Sequence, residues 1–335
     1  MESTVYIGDI HGDAWALRES LVHAGTAQRK RGLDLQIIRP DTVVLLGDLL
    51  DRGRQNTATL ESVERIMAQT KTHILLGNHD AALLQSMEHP EDRLAVAQWT
   101  ISGGYSVLRE VAKDHGLLRQ DPTAEVPPVP FGSLSSLQWS IAAEKRHMEL
   151  YDFPAAFEKF REPFRQRYHE IFYKMFLTHK RENALAVHAG IGRTWAEHIG
   201  EAEDLMLQML VGRDFRKMLP EHPLSDILWR RRREQPGQQP FGKDTADILL
   251  KKGYDVLIHG HDYRRDGKHH LDHVHGIAVI NADTGMSHAY KKVPNRWGYL
   301  RIDETGAITA ASEASGGVRD FGSVADGQYS PPRKS

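Results

Sequence analysis

The chain has 335 residues, enough to bury a sizeable core as one large α/β domain or two smaller ones. A formal net charge of −2 with 26% charged residues offers no bulk positive surface to a nucleic acid, and the absence of cysteine excludes disulfides, a CxxC zinc site and any thiolate nucleophile. No apolar stretch approaches the ~18 residues of a membrane span, and the first strand-like run starts too near the amino terminus to leave room for a signal peptide, so the expected location is cytoplasmic.

In chain order, the apolar run Val5-Tyr6-Ile7 stops at Gly8-Asp9-Ile10-His11-Gly12-Asp13. Asp13 can cap a helix to Ala24 that carries Trp15, Leu17, Leu21 and Val22 at helical spacing. Residues 26–41 read as a polar connection. Thr42-Val43-Val44-Leu45-Leu46, set between Pro40 and Gly47, predicts a second buried strand, followed at once by Gly47-Asp48-Leu49-Leu50-Asp51-Arg52-Gly53. A helix is expected from Asn56 to Gln69, with Leu60, Val63 and Met67 on one face. The third strand, Ile74-Leu75-Leu76, runs into Gly77-Asn78-His79-Asp80 and a helix from Ala81 to Ser86, which Asp80 would cap. Two βα units and a third strand favour a mostly parallel sheet with helical connections.

Residues 90–181 read as a helical insertion over the rim of the fold: Arg93–Trp99, Tyr105–His115, Leu134–Met148 and Ala155–Leu177, with four prolines between Asp121 and Pro130. In the last of these helices Phe157, Phe160, Phe164, Tyr168, Ile171, Phe172 and Met175 recur at three and four, a core stripe. Ala184–Val187 then leads into His188-Ala189-Gly190. Helix is expected over Trp195–Met218 and Asp244–Lys252, and Arg230–Arg233 reads as a basic solvated face. Val256-Leu257-Ile258 ends in His259-Gly260-His261. The tract Lys268–His275 suggests a turn with solvated imidazoles; Gly276–Asn281 and Gly298–Ile302 suggest antiparallel strands around Asp283-Thr284-Gly285. From Ser312 the Gly, Ser, Pro and charge content predicts a disordered tail, leaving one domain over residues 1–311.

Five strand-like runs thus end in Asp, Asn or His beside a small residue. If their carboxyl ends share one side of the sheet system, these side chains converge where open α/β sheets bind ligands. Carboxylate, amide and imidazole donors without thiolate suit borderline divalent ions such as Mn, Fe and Zn.

The motifs Gly8-Asp9-Ile10-His11-Gly12, Gly47–Gly53, Gly77-Asn78-His79-Asp80, His188-Ala189-Gly190 and Gly260-His261, in that order, resemble the signature series of PPP-type metallophosphatases, within the calcineurin-like metallophosphoesterases. Trp99-Thr100-Ile101-Ser102-Gly103-Gly104 and Leu228-Trp229-Arg230-Arg231 are similar to the bacterial and bacteriophage lambda type of serine/threonine protein phosphatase. The resemblance implies an α/β sandwich of central β-sheets flanked by helices, and two divalent metal ions, with Mn first and Fe or Zn as alternatives. Asp9, His11 and Asp48 would hold one ion, and Asp48 would bridge to a second held by Asn78, His188 and His261. Arg52 and Arg231, with Arg230 as alternative, would hold phosphate oxygens. His79 would be the general acid, oriented by Asp51, unless it is itself a ligand; His259 is a weaker ligand candidate.

The implied activity is hydrolysis of phosphomonoesters by metal-activated hydroxide, with a phosphorylated protein or a small phosphoester as substrate and no stable nucleic-acid partner. Asp80, where eukaryotic-type members carry Glu, keeps a dinucleoside polyphosphate or nucleotide-end substrate in view. Asp51-Arg52-Gly53 argues against the tetraphosphate hydrolases. A catalytically silent binding module is the third reading, and the sequence leaves the oligomeric state open.

Overall fold

Successive side chains of a strand point to opposite faces, and that alternation organises the molecule. The computed structural model describes residues 2–119, 149–218, 222–229, 241–263, 265–288, 295–324 and 328–329. The first part runs β1 (Thr4–Ile7), α1 (Ala14–His23), β2 (Ala27–Arg29), β3 (Leu35–Ile37), β4 (Thr42–Leu45), α2 (Asn56–Met67), β5 (Thr72–Leu75) and α3 (Asn78–Glu88). The middle holds α4 (Arg93–Trp99), α5 (Tyr105–Asp114), α6 (Phe153–Pro163), α7 (His169–Phe172), β6 (Met175–Phe176), β7 (His179–Arg181) and β8 (Ala184–Val187). There follow α8 (Arg193–His198), α9 (Ala202–Gly212), α10 (Asp226–Trp229), α11 (Lys243–Lys251) and β9 (Val256–His259). The last strands are β10 (His270–Val274), β11 (Ile277–Asn281), β12 (Gly298–Ile302), β13 (Ala307–Ser312), β14 (Gly317–Ser323) and β15 (Gln328–Tyr329).

Two sheets result, one in the order β15-β14-β13-β12-β1-β4-β5-β6 and the other β10-β11-β9-β8-β7, besides the hairpin β2-β3. The pairs β1-β4, β4-β5, β5-β6, β8-β9 and β9-β11 are parallel. Tyr6, Val44 and Leu46 of the larger sheet share one buried cluster with Ala184, Ala186, Val256 and Ile258 of the smaller, which is the seam of the sandwich. Their alternates Val5, Ile7, Val43, Leu45, Leu185, Val187 and Leu257 join the apolar faces of the helices. Each fully buried Val or Leu contributes about 1.5–3 kcal/mol, so both faces of the central strands resist polar replacement.

The α/β sandwich flanked by helices is therefore as expected, and Asp13 caps α1 by accepting from the Ala16 amide at 3.0 Å. Several expectations need correction. The polar connection 26–41 contains the hairpin β2-β3, whose strands bury little beyond Ala27 and Leu35. The expected helix Trp195–Met218 breaks into α8, α9 and two 3₁₀ turns. Met175 leaves the aromatic stripe for β6, and β6 and β7 at the end of the insertion belong to the sheets. The strands at 276–281 and 298–302 are not partners: β11 pairs with β9 and β10, β12 with β1 and β13. The segment expected as a tail from Ser312 includes β14, antiparallel to β13, and β15. In the histidine tract, His269 is fully buried and His270–Val274 forms β10 instead of a solvated turn. The expected helix Leu134–Met148, the prolines of 121–130 and the Arg230–Arg233 run lie outside the described residues.

Candidate metal centre

Parallel strands of both sheets end on the same edge of the seam, and the polar motifs begin where they stop. Asp9 and His11 follow β1, Asp48, Asp51 and Arg52 follow β4, Asn78, His79 and Asp80 open α3 after β5, His188 follows β8, and His261 follows β9. Backbone bonds stitch these ends together: the His11 and Gly12 amides donate to the Asp48 and Leu49 carbonyls, both at 2.9 Å, and the Gly260 amide to the His188 carbonyl at 2.7 Å. Gly77 has to be glycine, because a Cβ there would lie 2.2 Å from Asp48 Oδ1. Eight non-glycine residues among those described have positive φ, and five belong to this edge: His11, Asp48, Asp51, Arg52 and His261, at 45–73°. Each such conformation costs about 1–3 kcal/mol and persists only where surrounding structure enforces it.

Asp9, Asp48, His188 and His261 offer donor atoms within 4.8 Å of one another, and so do His11, Asp48 and His79; all are buried. Asp48 is common to both groups. His11 Nδ1 donates to the Leu50 carbonyl at 3.1 Å and His188 Nδ1 to the Leu46 carbonyl at 2.6 Å. A carbonyl only accepts, so these bonds fix each Nδ1 as protonated and leave the Nε2 lone pairs facing the cluster. His11 Nε2 lies 3.6 Å from Asp48 Oδ2 and 3.9 Å from Asp9 Oδ2. His188 Nε2 lies 3.0 Å from Asn78 Oδ1 and 3.6 Å from Asp48 Oδ1. Two imidazole lone pairs and the oxygens of three side chains thus surround one space, a donor set made for cations.

Electrostatics point the same way. Asp9, Asp48, Asp51, Asp80 and Asp283 are all buried at this edge, beside the guanidinium of Arg52. Burial, then the charges of Asp283 and Asp48, drive the Asp9 carboxyl well above its ordinary range. Burial, then Arg52, holds His11 well below its own. Burial and the Asp48 charge push Asp80 up to about 8 against three backbone donors. Unpaired buried charge is costly, and divalent cations between these groups would relieve it. The residues present fit such ions.

Around the cluster, His79 Nδ1 donates to Asp51 Oδ2 at 2.7 Å, and Trp99 Nε1 donates to Asp51 Oδ1 at 3.1 Å. The half-buried Arg52 is held through Nε on the Ser102 carbonyl at 3.2 Å and through its amide on the Gly103 carbonyl at 3.1 Å. Its Nη1 lies 3.2 Å from His11 Nε2.

Residues 3–265 match a family model described as calcineurin-like phosphoesterase. The chain belongs to the calcineurin-like phosphoesterase family. It is thus a metal-dependent phosphatase, a hydrolase of phosphate esters, and its buried Asp and His groups have the make-up of a divalent-metal site. A cold-active protein tyrosine phosphatase superposes with a TM-score of 0.57 at 15% identity, covering 96% of this chain and 79% of that one. A cold-active protein-tyrosine phosphatase of a psychrophilic Shewanella gives 0.54 at 16%, covering 96% and 80%. These likenesses speak for the shared fold. No curated protein matches the sequence significantly. No described helix is long and apolar enough to cross a membrane.

Of the residues singled out in the sequence of this phosphoesterase, Asp9, His11, Asp48, Asn78, His188 and His261 meet, with Asp51, Arg52 and His79 beside them. Asp80 does more than cap α3. Its carboxylate accepts from the Gly77, Asp48 and Leu49 amides at 3.0, 2.7 and 3.2 Å, tying the β4 and β5 ends together. His259 belongs to neither cluster. Arg231 lies outside the described residues, but Trp229, two before it, has its ring edge-on to His261 at 6.3 Å. Sequence reasoning missed Glu110 of α5, whose carboxylate accepts from the Asn56 and Thr57 amides at 2.8 and 3.0 Å and so caps α2. Asn56 in turn accepts from the Asp51 amide at 3.0 Å. Nothing in the local pattern of α5 marks Glu110, because its partner lies 54 positions away.

Proposed function

We propose that the protein is a two-metal phosphomonoesterase of the serine/threonine phosphoprotein phosphatase type, with Mn as the working ion and Fe or Zn as alternatives. The observation that carries the reading is the pairing of an anionic, imidazole-lined cluster with a histidine whose Nδ1 proton is engaged by a buried carboxylate beside it. Two divalent ions bound there would acidify water toward neutral pKa and neutralise phosphate charge. Asp9, His11 and Asp48 would hold one ion; Asp48, Asn78, His188 and His261 would hold the other. Arg52, splinted by Ser102 and Gly103, and Arg231 grip non-bridging phosphate oxygens and so orient the ester for in-line displacement. His79 gives the leaving oxygen its proton from Nε2. Asp51 orients the imidazole through Nδ1, and Trp99 keeps Asp51 in place.

The test is hydrolysis of p-nitrophenyl phosphate with added Mn, abolished in Asp48→Asn, followed by a panel of phosphoserine, phosphothreonine and phosphotyrosine peptides and diadenosine tetraphosphate. Activity on the phosphopeptides supports the reading. Preference for the dinucleotide would assign the nucleotide substrate instead, and metal binding without turnover on any of them would leave a silent binding module.

A further inference from the structure

The loop after β11 brings one more carboxylate to the cluster. Asp283 is fully buried. Its Oδ1 accepts from the Gly285 amide at 2.9 Å, and its own amide donates to Asn281 Oδ1 at 2.8 Å. Its Oδ2, equally buried, has no hydrogen-bond partner among the described residues. The surrounding backbone lies against the turn that carries Asp9: a Cβ on Gly8 would sit 2.7 Å from the Ala282 carbonyl oxygen and 2.8 Å from Asp283 Cα. The loop then returns over the site, where Ser287 Oγ donates to the His11 carbonyl at 3.1 Å.

An isolated buried carboxylate costs several kcal/mol, and here the Asp9 and Asp48 charges stand close enough to add to it. Shaping the loop does not require that cost. Asparagine has the same shape and the same oxygen for the Gly285 amide. What it lacks is the negative charge.

We propose that Asp283 is a positioning residue that sets the cation affinity of the centre, acting through Asp9 without ligating an ion itself. The proposal rests on the reading of the cluster as a divalent-metal site. In the metal-free chain burial disfavours the ionised form of Asp283, and bound cations turn that negative charge into a favourable one.

The experiment compares the full chain and Asp283→Asn after chelator treatment, by calorimetric titration with Mn²⁺ and by thermal unfolding with and without Mn²⁺. Two ions should bind to each protein, about 10- to 100-fold more weakly in the variant, the range found when groups behind metal ligands are changed. The metal-free variant should melt no lower than the metal-free parent, and its gain in Tm on adding Mn²⁺ should be smaller. A loop-shaping role would instead lower the metal-free Tm. Unchanged affinity, a variant that does not fold, or loss of one ion from the stoichiometry would each overturn the proposal, the last by making Asp283 a ligand. Failure of the parent chain to bind Mn²⁺ would overturn the metal-site reading as well.

Discussion

Replacing Asp51 by asparagine keeps the shape of the side chain and removes its charge, which isolates what the carboxylate does for His79. The two groups are buried with Nδ1 and Oδ2 2.7 Å apart. Opposite unit charges at that distance interact by about 6 kcal/mol at an effective dielectric constant of about 20, which bounds the effect from above. Hydrogen bonds to charged groups net about 1.5–3 kcal/mol after solvation is counted. At about 1.4 kcal/mol per decade, Asp51→Asn should lower kcat about 10- to 150-fold. Trp99 can still donate to the amide oxygen, so the fold at this point is kept. The assay uses two substrates of one shape, phenyl phosphate and p-nitrophenyl phosphate. The nitrophenolate leaves without much help from an acid, so its hydrolysis should fall much less. Equal losses on both substrates, or a fall in bound metal, would refute the assignment of Asp51 to the protonation of the leaving group.

His79→Asn should reduce kcat on phenyl phosphate by about 10²- to 10⁴-fold with two ions still bound, checked by elemental analysis. Loss of an ion would make His79 a ligand, a role its place near His11 and Asp48 also allows. Asn78→Ala removes the oxygen 3.0 Å from His188 Nε2 and should weaken one ion selectively, seen as a biphasic Mn²⁺ titration where the parent is uniform. Acid stability should depend on His269, which is fully buried, has no hydrogen-bond partner for either ring nitrogen among the described residues, and is held by burial at about 3. Its folded value lies below the unfolded one of ~6.5, so the unfolded chain takes the proton first, and stability is lost as pH falls from ~6.5 toward 3. His269→Leu should flatten that decline by up to about 1.4 kcal/mol per pH unit in denaturant titrations; an unchanged slope would contradict it.

The metal edge was legible in the sequence because each of its motifs joins an apolar strand to a polar residue and a glycine, a local signal. Asp9, His11, Asp48, Asn78, His188 and His261 could be picked out without knowing how the strands are ordered. What stayed hidden depends on partners distant in sequence. Glu110 caps a helix other than its own, Trp99 donates to a carboxylate 48 positions away, and Asp283 lies against the Gly8 turn and adds its charge to the field at Asp9. The carboxyl-terminal strands were missed for a different reason. Glycine and serine in β14 look like a disordered tail by composition, yet pairing with β13 satisfies their backbone groups and Phe321 packs fully buried in the seam. Burial of His269 was hidden likewise, since composition says nothing about which imidazole a sheet encloses.

The position of β1 between β4 and β12 has a consequence for how the protein is made. Strand β1 acquires its neighbour β12 only after all the elements between them have been made, so one whole edge of its amide and carbonyl groups waits through their synthesis. His261 arrives equally late. The turns after β1, β4 and β5 can therefore form early, but the ion-binding cluster is complete only when His261 has docked, and truncations before Ile302 should leave β1 an open, aggregation-prone edge.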